Sequence, residues 1–263
     1  MNDFAPEWLA LREQADAAAR AATLLDPLRT YLDGRPIVVR DLGSGTGSMG
    51  RWLAPQLGGE QTWTLTDRDP VLLAVAATSV PNASTELRDI TALTAADLAG
   101  TTLVTGSALL DILTADEIEN LAEACVGAGC PVLFALTVVG RVELDPPHLL
   151  DAALTSAFNS HQRRTIDGRQ LLGPSAVQVA AEAFHRRGAW LQLAPSPWRL
   201  GRDQGALIAA WLGGWVSAAC EQQPDLIGAA TAYLDRRLAE CAAGSLTATI
   251  HHEDLLALPH GHV

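Results

Sequence analysis

The sequence predicts an α/β fold of the Rossmann-like kind, with helices on both faces of a mainly parallel sheet. Three observations predict it. Short apolar runs (Ile37-Val38-Val39, the Trp63-Thr64-Leu65-Thr66 stretch, Pro131–Val138) alternate with helical segments. Strands that read as continuous apolar runs are buried on both faces, as a parallel sheet between helices requires. A glycine loop follows the first run, and Asp41, Asp67 and Asp89 stand where the first three strands end. Ligands bind at the carboxyl ends of strands in such sheets.

The elements follow in order. Residues 5–33 read as helix, with apolar positions at Leu9, Ala15, Ala18, Ala22 and Leu25, and Pro27 predicts a break. Asp33-Gly34-Arg35-Pro36 is a turn. The first strand ends at Arg40-Asp41; after the loop, Met49–Leu57 begins a helix that Gly58-Gly59 closes. Gln61–Thr66 is the second strand, and Pro70 suits the first turn of a helix reaching about Ser79. Thr85–Arg88 and Thr101–Thr105 are the third and fourth strands. Thr114-Ala115-Asp116-Glu117 is a capping-box start for a helix to Gly127. Beyond the fifth strand, Pro131–Val138, the rhythm changes. A helix at 147–158, a polar stretch, and a helix at 174–187 predict an insertion over the sheet. Ala189–Leu193 is a sixth strand, 203–220 and 224–243 are helices, and Ser245–His252 holds a seventh strand. The expectation is one domain over 1–263, with an N-terminal helical segment at 1–34 and a helical cap at 141–187.

Composition narrows the function. The net charge is −12, and all 18 basic residues are arginine. Such a chain repels a polyphosphate backbone, so nucleic acid is not an expected partner. The longest apolar run, 206–220, is too short for a membrane span. The acidic, amphipathic start resembles no signal peptide, so the expected place is the cytoplasm; oligomeric state is left open. Cys125, Cys130, Cys220 and Cys241 form no C-x-x-C pair and read as reduced, packed thiols. His251, His252, His260 and His262 lack partners at metal-ligand spacing and read as a frayed tail, so no metal is expected.

Gly45-Thr46-Gly47-Ser48-Met49-Gly50 satisfies the G-x-G-x-x-G spacing of dinucleotide sites. Glycine lets the backbone approach a ligand, and the following helix N-terminus favours a pyrophosphate. Asp41, two residues before Gly43, opposes that anion. It suits S-adenosyl-L-methionine (SAM), which carries a sulfonium and an ammonium but no phosphate. A unit charge pair a few ångströms apart in a partly wet site is worth roughly 1–4 kcal/mol. Asp67 suits the two ribose hydroxyls. Asp89 suits the adenine amino group with Ile90 on the ring; its alternative role is a turn cap.

Asp41-Leu42-Gly43-Ser44-Gly45-Thr46-Gly47 resembles the nucleotide-loop motif of class I SAM-dependent methyltransferases, and 104–113, VTGSALLDIL, resembles their fourth motif. The match is good over about 35–140. The resemblance implies a three-layer sandwich around a seven-stranded sheet with its last strand antiparallel. It implies SAM as cofactor, held by Asp41, Gly43, Ser44, Gly45, Gly47, Asp67, Arg68, Asp89, Ile90 and Ser107. The expected reaction is methyl transfer to a small molecule bearing an anionic group. His161 is the expected base, Arg163 or Arg199 the anion ligand, and Trp198 a wall; each has the alternative of a solvated or packed side chain, and Asp111 could face the same pocket. An NAD-dependent oxidoreductase is the rival, but without lysine it has no Tyr-Lys pair, and a SAM-binding protein without catalysis is a third reading.

Overall fold

The computed structural model describes residues 5–259. The chain begins with α1 (Pro6–Ala19) and α2 (Leu25–Leu32). Their break falls at Arg20-Ala21, where Ala21 is extended, and not at Pro27. Pro27 lies in the first turn of α2, where its missing N–H costs nothing. Then come β1 (Ile37–Leu42), α3 (Ser48–Leu57), β2 (Gln61–Asp67), α4 (Pro70–Ala76), β3 (Ala83–Leu87), β4 (Leu103–Ser107), α5 (Ala115–Gly127) and β5 (Val132–Asp145). Thr114 and Glu117 form the predicted capping box of α5. The second half holds α6 (Asp151–Gln162), a small hairpin β6 (Thr165–Ile166) and β7 (Arg169–Gln170), α7 (Ala176–Arg186), β8 (Trp190–Pro195), β9 (Trp198–Leu200), α8 (Gly205–Gln222), α9 (Ile227–Ala242) and β10 (Thr247–Leu258).

The main sheet runs in the order β3-β2-β1-β4-β5-β10-β8, with β9 also paired to β10. The first five strands are mutually parallel, and β10 is antiparallel to β5, β8 and β9. The reversed strand is the last in sequence, as expected. The sheet has eight strands and not seven, because the sixth is split into β8 and β9 at Ser196-Pro197. Proline cannot donate to a ladder, so pairing is interrupted there.

One face of the sheet packs on α5 and α7, through residues such as Ile118, Leu121, Val177 and Phe184. The other packs on α2, α3 and α4, through Leu28, Met49, Leu53 and Leu73. A third cluster gathers Leu144, Leu154, Leu200, Trp215, Tyr233 and Ile250. It forms because β5 does not stop at Val138: β10 pairs with it as far as Asp145. This overrun of β5, β9 and the start of β10 carries α6, α8 and α9 beyond the carboxyl edge. The expected cap at 141–187 is therefore divided. Helix α6 packs on α8 in the overhang, whereas α7 returns beside α5 on the sheet.

Two buried charges secure these parts. Asp254 lies in a bulge of β10; its carboxylate accepts the Leu136 N–H at 2.7 Å and the Ala21 N–H at 2.8 Å, and the Ser196 hydroxyl donates to it. In the overhang, Arg237 of α9 is buried and binds both Asp151 oxygens at 2.9 Å, the Pro146 carbonyl at 2.7 Å and Glu240 at 2.8 Å. Removing one partner of a buried pair leaves the other uncompensated. Arg237→Ala is expected to lower stability by about 3–5 kcal/mol. Urea denaturation should show a lower midpoint, with the slope unchanged.

Candidate functional site

The glycine loop leaves β1 and turns into α3. Gly43, Gly45 and Gly47 all have positive φ, at 59°, 54° and 88°. A side chain at Gly47 would also meet Ser79 and Val80, with a Cβ 2.9 Å from Ser79 Oγ, so the turn admits only glycine. The Ser44 N–H donates to the Thr66 carbonyl at 3.0 Å, which ties the loop to the end of β2. Asp67 braces it further. Its Oδ2 accepts the Gly45 N–H at 2.8 Å and its Oδ1 accepts the Asp69 N–H at 3.0 Å. It lies at the loop, and each of its oxygens keeps a further lone pair. Arg68, next to it, is exposed.

Asp41 is fully buried, beneath the loop and not on an open crevice wall. Its Oδ1 accepts the Thr105 hydroxyl at 2.7 Å, and its Oδ2 has no partner. Burial pushes its carboxyl up to about 6, against the opposing influence of the Thr105 hydroxyl and of Arg20. Arg20 is the residue that sequence reasoning missed. Only 4% exposed, it donates through Nη2 to Ser48 Oγ at 3.0 Å and to Ser107 Oγ at 3.1 Å. It thereby bridges the start of α3 and the end of β4, with its Nε unpartnered. Burial lowers its pKa; Asp16, Asp41 and Asp254 act the other way. The sequence did hold a signal: Arg12, Asp16 and Arg20 recur at four-residue intervals, a polar stripe on a segment read only for its apolar positions.

That stripe lays α1 across the site. Glu13 holds Arg51 through two contacts of 2.6 Å, and a Cβ on Gly45 would lie 3.3 Å from Leu9. Asp16 accepts Arg12 Nε at 2.9 Å and the Trp198 indole N–H at 2.9 Å. The carboxylates of Asp16, Asp41 and Asp254 and the guanidinium of Arg12 all act electrostatically on Arg20. Besides Asp41 Oδ2, the hydroxyls of Ser44 and Thr66 are buried there without partners.

The remaining expected residues are dispersed. Asp89 is exposed and caps the following 3-10 turn, accepting the Thr91 N–H at 2.9 Å and hydroxyl at 2.8 Å; these bonds hold its carboxyl below the usual range. Ile90 packs against the α5–α7 cluster. His161, expected in a loop, lies in the last turn of α6. Helical spacing puts it with Leu154 and Ala157 on the buried face, with Nε2 3.4 Å from Glu221 of α8 and Nδ1 3.0 Å from Arg164. These contacts belong to the α6–α8 seam and not to the glycine loop. Arg163 lines an outer groove with Gly140 and Asn159. Trp198 is buried against Asp16, Arg12 and His252, so it is no open wall. Arg199, next in the strand, faces the other way into a cleft of about 450 Å³ between α1 and the start of α8. Arg163, Trp198 and Arg199 are not brought together. His251 and His252 are strand residues of β10 and not a tail, whereas His260 and His262 lie outside the described residues. Among the described residues no three metal-ligating side chains converge, and no helix is long and apolar enough to cross a membrane.

No protein-family model and no curated protein matches the chain. Solved structures do resemble it. A cyclopropane synthase from Mycobacterium tuberculosis aligns with TM-score 0.48 at 14% identity, over 89% of this chain and 83% of that one. A SAM-dependent methyltransferase from Geobacter sulfurreducens, in complex with S-adenosyl-L-homocysteine, aligns with TM-score 0.47 at 16% identity, over 97% and 98%. At such identities the likeness extends to the fold alone.

The burial of Asp41 has a measurable sign. Its folded pKa, about 6, lies above the ordinary value of 3.8, so the folded state binds the proton more tightly. The stabilising contribution is complete below the ordinary value and is lost as pH rises through 6. Asp41→Asn is therefore expected to stabilise the ligand-free protein at pH 7.5 by on the order of 2–3 kcal/mol. The gain should vanish near pH 4, as thermal melting at both pH values would show.

Proposed function

We propose that the protein is a SAM-dependent methyltransferase acting on a small-molecule acceptor. The observation that carries this reading is the excess of carboxylate over guanidinium beneath the glycine loop, with Asp41 Oδ2 left without a partner. A buried charge needs an opposite charge or a donor. A ligand with a sulfonium and an ammonium supplies both, whereas a pyrophosphate adds to the excess. The sheet order, with an antiparallel strand inserted beside β5, is the one this family's resemblance implies, in place of the parallel 3-2-1-4-5-6 of dinucleotide folds.

The cofactor's contribution is an electrophilic methyl group on positive sulfur. Asp41 Oδ2 would accept from the ligand ammonium, and Arg20 would donate to its carboxylate, an opposed pair matched to an amino-acid end. Gly43, Ser44, Gly45 and Gly47 would admit the ligand to backbone contact, and Ser107 would border the reacting end. Asp67 would receive the ribose hydroxyls. Asp89, Ile90 and Arg68 would border the adenine, with the unused Asp89 oxygen facing the amino group. Burial of Arg20, Asp41, Ser44 and Asp67 excludes water there, so orientation supplies much of the rate. Cytoplasmic location belongs to this same reading.

A second reading, a dinucleotide site, draws on Arg20 beside the N-terminus of α3, which together would attract an anion. Calorimetric titration with SAM, S-adenosyl-L-homocysteine, NAD and NADP separates the two. Binding of SAM and its demethylated product, and not of NAD or NADP, is expected; preference for a dinucleotide would overturn the proposal. Asp67→Ala is expected to weaken SAM binding at least about tenfold, ~1.4 kcal/mol.

A further inference from the structure

The cleft of about 450 Å³ between α1 and the start of α8 lies on the far side of α1 from the glycine loop. Leu9 and Glu13 of α1 meet the loop side, at Gly45 and Arg51. Leu11, Gln14, Ala15 and Ala18 line the cleft, and at 3.6 residues per turn they fall on the opposite face of the helix. The volume is within the roughly 300–1,000 Å³ usual for small-molecule clefts. Much of the lining is apolar. Leu200 and Leu207, each 3% exposed, form its floor, and Leu11 is a large apolar side chain left 38% exposed on its wall. Ala15 and Ala18 are small, which keeps the space between these leucines open.

The two charged residues of the lining select a ligand. Arg199 belongs to β9, and Asp203 to the 3-10 turn that leads into α8. Both are exposed at the cleft. Among the described residues neither side chain has a hydrogen bond or an ion pair, and the two do not pair with each other. Elsewhere in this acidic chain Arg51, Arg169 and Arg187 each hold a carboxylate within 2.7 Å. A guanidinium and a carboxylate that share one cleft without meeting leave a gap that a ligand carrying both opposite charges would close. The guanidinium fork takes a carboxylate through two parallel bonds, and a carboxylate accepts from an ammonium. A ligand with one charge alone would leave one of the two unmatched.

We propose that this cleft binds an α-amino acid with an apolar side chain. Arg199 takes the carboxylate, Asp203 takes the ammonium, and Ala15, Ala18, Leu200 and Leu207 receive the side chain. The assignment does not rest on the methyltransferase reading, since among the described residues none from the glycine loop, β1, β2 or β4 lines the cleft. Arg199 keeps the anion-binding role that the sequence suggested for it, but apart from Arg163 and Trp198 and together with an acid.

The probe is L-phenylalanine, against hydrocinnamate, which lacks the ammonium, and phenethylamine, which lacks the carboxylate. Each is titrated calorimetrically into the full-length protein at neutral pH without any cofactor. Saturable binding of L-phenylalanine is expected, with each truncated analogue at least about tenfold weaker. Arg199→Gln should weaken L-phenylalanine about tenfold and leave phenethylamine unchanged. Asp203→Asn should weaken L-phenylalanine by a similar factor and leave hydrocinnamate unchanged. Arg202→Gln, at an exposed neighbour outside the lining, should change nothing and controls for overall charge. Arg20 and Asp41 are also an opposed pair, so the variants, and not binding alone, place the ligand in the cleft. Melting curves check folding, and if Arg199→Gln melts early the Asp203 variant and the two analogues decide. No saturable binding of L-phenylalanine, an analogue that binds as tightly, no loss in a folded Arg199→Gln or Asp203→Asn, or an equal loss in Arg202→Gln would each overturn the proposal.

Discussion

Negative charge held out of water at the carboxyl ends of β1 and β4 is the constraint on which the rest of the structure turns. Asp41 is buried with only one of its oxygens hydrogen-bonded, by Thr105. A lone carboxylate in such a place is costly unless a charge or donor meets it. Arg20 meets it in part, and to do so the chain before β1 must cross the carboxyl edge of the sheet. The path of α1 follows from that need. Helix α1 buries only Asp16 fully and is held largely by polar contacts, Glu13 to Arg51 and Asp16 to Trp198. It is fixed by the charges of the site as much as by apolar packing.

The far half of the sheet serves the same edge. The overrun of β5 along β10 lifts α6, α8 and α9 past the strand ends, while the bulges of β10 turn Asp254 toward Leu136, Ser196 and Ala21. One carboxylate thus joins the fifth strand, the junction of β8 and β9, and the entry to α2. The residues that follow this junction, Trp198 and its neighbour His252, are carried to the face of α1 that bears Arg12.

Periodicity made the sheet legible. Apolar strands, the capping box at Thr114 and Glu117, and the turn at Gly58-Gly59 are local signals, and the elements appear where those signals lie. The glycine loop and Asp67 were legible for a related reason: positive φ and a strand-end acid are properties of a short stretch. His161 was misplaced because a polar stretch, NSHQ, reads as a loop, whereas helix α6 continues through it and one face of it meets α8. The expected grouping of Arg163 or Arg199, as anion ligand, with Trp198, as a wall, has a related history in the fold. Successive strand residues point to opposite faces, so Trp198 turns inward and Arg199 outward.

By itself the sequence determined an α/β sheet, the glycine turn after its first strand, and an acid at that strand's end, because each depends on residues within a few positions of one another. Tertiary structure alone decided that Asp41 is buried, that Arg20 comes from a helix outside the sheet to oppose it, and that Trp198 meets both His252 and Arg12. Those contacts join residues up to 186 positions apart, between Trp198 and Arg12. Electrostatic compensation of a buried charge is chosen by proximity in space, to which hydrophobic period and turn chemistry are blind.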